Sequence, residues 1–184
     1  MAAENPHVRR LGLITLILQK AGEINGRTKL QKLTYLSNLL WNGFDDFGFH
    51  YYGPFSQDLM VEVERLEDNK FLEEEPRRTG NDRTMYKYRL TSQGEKRAHE
   101  VIRNAASRRV IQATSTLIEE LRGYSSDELE IMASLVYLRL SSPGEDADLV
   151  RHLRELKPYF SVERIRRGLR IFEILGSHGV ELQA

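Results

Sequence analysis

The hydrophobic period of this chain changes twice, and that change constrains its fold more than any other feature. Apolar residues recur at helical spacing from Val8 to Asn69, read as two strands from Phe71 to Thr91, and return to helical spacing from Ser92 onward. A 3.6-residue face cannot serve as a two-residue pleat without turning core side chains to solvent, so the three regions are committed to different structures. In the first region Val8, Leu11, Ile14 and Leu18, with Leu13 and Ile17 beside them, predict a helix with a wide buried face after Pro6. Gly22 and Gly26 punctuate its end. Thr28, three residues before Gln31, forms a capping-box pattern for a second helix over about 29–41 that buries Leu30, Leu33, Leu36 and Leu40. Ser56 caps a third helix, with Asp58 favourable in its first turn; this helix carries Leu59, Met60, Val63 and Leu66 and ends near Asn69.

The middle region predicts a strand over 71–78, a turn over 79–82 and a second strand over 84–91, whose strand-forming residues are Met85, Tyr86, Tyr88 and Leu90. Pro76 confines the first strand to an edge. Glu73, Glu74 and Glu75 charge that edge, which discourages sheet-to-sheet pairing. Ser92 with Glu95 is a further capping box. Beyond it, Ala98, Val101, Ile102, Ala105, Val110, Leu117 and Leu121 predict one long helix or two joined near Ser107. Gly123 breaks the pattern and Ser125 with Glu128 restarts it, with Leu129, Met132, Leu135 and Val136 on a strongly apolar face. The segment 128–140 is either a central core helix or a dimer seam. A loop over 141–146 precedes two shorter helices, about 148–156 and 162–175, separated by Pro158.

Composition narrows the function. The 184 residues, 40% hydrophobic, suit one domain or a small domain with an extension. Lys+Arg and Asp+Glu are both 27, which argues against a globally basic nucleic-acid binder and leaves room for a local patch. With no cysteine, disulfides, thiol catalysis and thiolate metal sites are excluded together, and a reducing cytoplasm is the expected location. The longest apolar run, 11–18, is interrupted by Gly12 and Thr15 and is too short for a bilayer; the N-terminus lacks the order of a signal peptide. No membrane partner is expected. There is no G-x-S-x-G, no phosphate-binding glycine loop and no H-E-x-x-H, and the five histidines are scattered. We therefore expect no enzyme and no catalytic, cofactor or metal site. Asp45, Asp46 and His50 read as an acidic loop before an aromatic turn rather than as metal ligands.

Three helices followed by a hairpin is the element order of a winged helix. The expected fold is mainly α with a small β-hairpin, a winged helix-turn-helix domain over 1–92 followed by a helical C-terminal region over 93–184 for dimerisation or partner binding. The stretch YKYRLTSQGEKR (86–97) resembles the wing exit of winged-helix regulators. GRTKLQKLTYL (26–36), FHYYGPFSQDL (49–59) and KFLEE (70–74) resemble the YwgA-like proteins of archaea and bacteria. More distantly they are similar to the Panacea antitoxin domain of the SocA type. The shared pattern is a K-L-Q-K-L helix followed by a Tyr-Gly-Pro turn, and the resemblance covers roughly residues 8–97. A winged-helix resemblance implies DNA binding; a Panacea resemblance implies toxin neutralisation or adaptor work.

Two functions compete on the residues. Between Arg77 and Arg97 stand seven basic residues against two acids, a local excess of five. Arg77, Arg78, Arg83 and Lys87 in the wing, with Arg27, Lys29 and Lys32 in the second helix and Gln57 heading the third, are the candidate contacts to double-stranded DNA. That reading makes the protein a transcriptional regulator, with the C-terminal helices supplying a homodimer. The third helix opposes it, with five acids against one base where a recognition helix needs outward donors. The rival is a protein-interaction module, an antitoxin or adaptor, that uses this acidic helix and the aromatic turn. In that turn Tyr51, Tyr52, Gly53, Pro54 and Phe55 either fasten the second helix to the third, with Gly53 allowing the sharp bend, or form a surface on which a ligand stacks.

Overall fold

The computed structural model describes residues 5–78, 80 and 84–182. Arg83 and most of the turn expected over 79–82 lie outside the described residues.

The first helix, α1 (Pro6–Ala21), is capped by Asn5, whose side chain accepts the His7 amide, and has proline in its first turn. A three-residue strand, β1 (Glu23–Asn25), follows, and then α2 (Arg27–Trp41). Two very short strands, β2 (Gly48–His50) and β3 (Gly53–Phe55), form a hairpin that delivers the chain to α3 (Gln57–Asp68). Next come β4 (Leu72–Arg78) and β5 (Thr84–Leu90), paired antiparallel from Leu72 opposite Leu90 to Arg78 opposite Thr84. The rest is helical: α4 (Ser92–Ala105), α5 (Arg108–Leu121), α6 (Ser126–Ser141), α7 (Asp146–Leu156), α8 (Val162–Gly168) and α9 (Arg170–Ser177). The protein is mainly α with a small antiparallel sheet, as the sequence predicts.

Local detail departs from expectation at four places. First, β1 has too few residues to show a period, yet it pairs with β5, Ile24 opposite Tyr88, and makes the sheet three-stranded in the order β1–β5–β4. Second, the Thr28/Gln31 capping box does not form. Gly26, at φ +101°, occupies the cap position of α2, and Gln31 turns inward, where its amide donates to the Ser56 carbonyl and accepts from the Ser56 amide, both at 2.9 Å. Third, Thr91 rather than Ser92 caps α4, accepting the Gly94 amide. Fourth, the last helical stretch divides at Leu169. The caps at Ser56 and Ser125 form as expected, the latter as a full capping box with Glu128. The chain between Thr91 and Leu121 is two helices, because Ala106 is extended and Ser107 caps the second.

One apolar core takes Leu13 and Ile17 from α1, Leu30 and Leu33 from α2, Leu117 and Leu121 from α5, Leu129 and Met132 from α6, and Ile171 and Leu175 from α9. It therefore runs through position 92 without a break. Helix α1 lies against α4 so closely that a Cβ on Gly12 would stand 2.1 Å from that of Ala105. Helix α6 is buried continuously from Leu129 to Val136 and packs on α2, β3, α7, α8 and α9. It is a central helix rather than a free seam. A smaller cluster of Ile131, Leu135, Leu149, Leu153, Phe160 and Ile165 joins α6 to α7 and α8. Among the described residues, no helix is long and apolar enough to cross a membrane.

Candidate functional site

At the Tyr-Gly-Pro hairpin the two halves of the sequence meet in buried polar chemistry. With His50 opposite Gly53, Tyr51 and Tyr52 form the bend. Gly53 adopts φ +81°, and a Cβ there would stand 2.6 Å from Ser134 Oγ, so both the bend and the approach of α6 require glycine. The inward carbonyls of this bend need donors. Lys32, only 1% exposed, donates from Nζ to the Pro54 carbonyl at 2.7 Å. Lys157, in the turn after α7 and also 1% exposed, donates to the Tyr51 carbonyl, to Glu130 at 2.7 Å and to the Tyr159 hydroxyl at 3.1 Å. That hydroxyl bonds Glu130 at 2.7 Å. One buried carboxylate thus bonds Lys157 directly and acts on Lys32 through its charge alone. Burial pulls the Lys32 pKa down to about 8; Lys157 pushes it the same way and Glu130 resists. Burial and the bond to Glu130 raise the Tyr159 pKa.

Above this clasp the rings face outward. Tyr51 is 68% exposed, Tyr52 58% and Tyr159 45%. Tyr51 meets Tyr52 edge to face with centroids 4.9 Å apart and stacks on Tyr159 at 5.7 Å. The expectation that Tyr51 and Tyr52 bury area between α2 and α3 is corrected: at the tip of a two-residue bend their side chains stand mostly in solvent, against each other and Tyr159. Fastening is done instead by buried Pro54, by half-buried Phe55, by Phe49 against Tyr137 at 5.3 Å, and by the lysine bonds. Asp46 holds the start of α3, accepting the Ser56 hydroxyl at 2.5 Å and the Asp58 amide at 2.9 Å.

The expected DNA contacts are dispersed. Register places Glu75 opposite Lys87 and Glu73 opposite Arg89. Arg89 pairs with Glu73 at 2.8 Å, Arg77 with Glu75 at 3.5 Å and Lys87 with Glu23 on β1. Arg27 pairs with Glu74 at 2.8 Å and lies 4.0 Å from the centroid of the Tyr86 ring. The local excess of five thus meets three glutamates that the sheet brings beside it, while Glu74 takes up Arg27. Arg78 is exposed with no carboxylate partner among the described residues, and Gln57 is exposed at the start of α3. Lys32 is withdrawn as a phosphate contact because it is buried, and Lys87 is nearly so. Lys29 is spent on the carbonyls of Arg122 and Tyr124, 2.8 Å each. On α3, Glu62 is 2% exposed and bonded by His7 and Arg65, both at 3.0 Å, so it does not belong to an outward acidic face. Gln57, Glu64, Arg65 and Asp68 do face solvent, with Met60 and Val61 half-buried beside them.

No protein-family model matches the chain. It is 37% identical over 79 residues to the uncharacterized protein YwgA of Bacillus subtilis (strain 168). Over that stretch the chain is similar to YwgA. The match takes in 42% of this chain and 47% of that protein, so the chain spans about half the length of the curated relative it matches.

Sequence reasoning missed Glu130, Lys157 and Tyr159. They lie far in sequence from the hairpin they serve, so no local pattern joins them. The one available signal was Pro158 followed by two rings, an aromatic pair in a loop rather than on a helix face.

Proposed function

We propose that this chain is a non-enzymatic protein-interaction module, with Tyr51, Tyr52 and Tyr159 as its docking surface. One observation carries the proposal: three exposed tyrosines stand on a backbone that buried Lys32, Glu130 and Lys157 hold rigid. Tyrosine offers a partner large, stiff, amphipathic contact area at low entropic cost, and a fixed backbone reduces that cost further. The net-acidic outer face of α3, with half-buried Met60 and Val61, adds steering for a basic partner. Adaptor or antitoxin work, implied by the Panacea resemblance, is of this class. The test is capture of partners by the immobilised protein, comparing Tyr51→Ser/Tyr52→Ser with Arg77→Ala/Arg78→Ala. Loss of a specific partner in the tyrosine variant alone supports the proposal. Equal retention in both variants refutes it.

A second reading is supported by the element order α1–β1–α2–β2–β3–α3–β4–β5, with β1 paired to β5, which resembles a winged helix-turn-helix domain apart from the short β2–β3 hairpin. On it the protein is a cytoplasmic transcription regulator that binds double-stranded DNA as a homodimer, with Arg77 and Arg78 on phosphates. Random-duplex binding measured across salt tests this. Arg77→Ala/Arg78→Ala should flatten the slope by about one unit per lost contact, and a wild type that does not bind at low salt removes the reading.

A further inference from the structure

A cavity of about 570 Å³ opens between the turn leading into α6 and the joint of α8 with α9, and none of its lining residues belongs to the tyrosine surface. Ile131 and Met132 give it an apolar floor, Tyr124 one wall, and Arg164, Arg167 and Arg170 another. Its size is within the range of small-molecule sites. The arginines share one side because Leu169, between α8 and α9, keeps helical backbone (φ −59°, ψ −22°), so spacings of three residues stay in line.

The charge there is unbalanced. One carboxylate, that of Glu128, lines the cavity, and it is already engaged by the Ser125 amide at 2.8 Å and hydroxyl at 2.7 Å. Those bonds first, and Arg164 and Arg167 more weakly, hold the Glu128 pKa below the usual carboxylate value. Arg164 bonds exposed Asp127 at 3.0 Å, and Arg167 reaches Glu163 only at 3.9 Å. Arg170 has no carboxylate partner among the described residues; its guanidinium lies 5.4 Å from the centroid of the Tyr124 ring. Guanidinium forks beside an aromatic wall and an apolar floor ask for a ligand with an anionic head and an apolar body. A bare inorganic anion leaves the floor wetted, and a neutral apolar molecule leaves the forks unmatched.

We propose that this cavity binds a small organic anion, its phosphate or carboxylate head between Arg167 and Arg170 and its ring or alkyl body on Tyr124, Ile131 and Met132. Lys29 is a positioning residue for the site. Its ammonium, donated to the carbonyls of Arg122 and Tyr124, ties the Tyr124 wall to the first turn of α2.

The experiment is calorimetric titration of the full chain at low salt with phenyl phosphate, benzoate and inorganic phosphate. The two ring-bearing anions distinguish the head groups. At least one should bind about tenfold more tightly than inorganic phosphate, and Arg167→Gln/Arg170→Gln should weaken it about tenfold or more, as loss of charge-assisted bonds requires. Arg77→Ala/Arg78→Ala should bind as wild type does. Circular dichroism melting verifies that the variants fold, and Arg170→Gln alone, at a solvent-facing site, provides a second variant. The proposal is overturned if neither ring-bearing anion binds, if inorganic phosphate binds equally well, or if the arginine variants bind undiminished.

Discussion

The β2–β3 hairpin and the β4–β5 hairpin both hold aromatic and charged side chains against helices, and they distribute them in opposite ways. On β4–β5 the rings of Tyr86 and Tyr88 turn inward, while Lys87 and Arg89 alternate to the other face and meet Glu23 and Glu73 there. On β2–β3 the rings of Tyr51 and Tyr52 face solvent, and the charges, Lys32, Lys157 and Glu130, lie beneath. Strand length explains the difference. Seven-residue strands satisfy their backbones on each other and sort side chains by the two-residue pleat. Three-residue strands with a two-residue bend leave carbonyls pointing into the protein, and buried donors must come from elsewhere. A screened pair such as Arg89–Glu73 adds little, whereas a buried cluster is costly to disturb.

The comparison breaks most sharply at Glu130. Glu130→Ala removes the buried carboxylate that Lys157 and the Tyr159 hydroxyl bond, and urea denaturation should show a loss on the order of 3–5 kcal/mol. A loss within about 0.5 kcal/mol, as at an ordinary surface site, would mean that the hairpin is not clasped as described. Gly53→Val is next. Positive φ and the approach of Ser134 Oγ to 2.6 Å should cost about 1–3 kcal/mol, read as a lower melting temperature. An unchanged melting temperature would free Gly53 from its conformational role.

The buried lysine also sets a pH dependence. Lys32 falls from an ordinary 10.5 to about 8 on folding, so between those values the unfolded chain holds a proton that the folded chain has shed. Its contribution to stability is fully present above about pH 10.5 and is lost as pH falls through about 8. Stability should therefore rise by about 2 kcal/mol between roughly pH 7.5 and 9.5. Tyr35, Tyr88 and Tyr159, whose pKa values burial raises, reverse the trend above about pH 10, where the unfolded chain ionises first. Lys32→Met should flatten the rise; an equal slope in that variant assigns it to another group.

The smallest expected effects are on the surface. Glu73→Gln/Glu75→Gln and Tyr51→Ser/Tyr52→Ser should each change stability by no more than about 0.5 kcal/mol. Their functional effects separate the two readings. If the sheet face meets phosphate, releasing Arg89 and Arg77 from their glutamates should tighten random-duplex binding at low salt. If the tyrosines dock a protein, the glutamate variant leaves both DNA and partner binding as they were, and the tyrosine variant loses the partner.

The sequence by itself determined the helices, the β4–β5 hairpin, the caps at Ser56 and Ser125 and the glycine at 53, because each follows from a period or a dihedral requirement a few residues long. Only the tertiary structure decided what the charged and aromatic residues do. Whether Lys32 is a phosphate contact or a buried donor depends on Pro54, on Glu130 and on Lys157, more than a hundred positions away. Whether the β4–β5 hairpin is basic depends on a sheet register that brings in Glu23 from before α2. Coulombic and solvation energies are fixed by neighbours in space, and a linear charge count sees only neighbours in sequence. Tyr51 and Tyr52 face outward for the same reason: hydrophobicity favours burial, but a tight bend held by inward carbonyls leaves the rings nowhere to go except solvent.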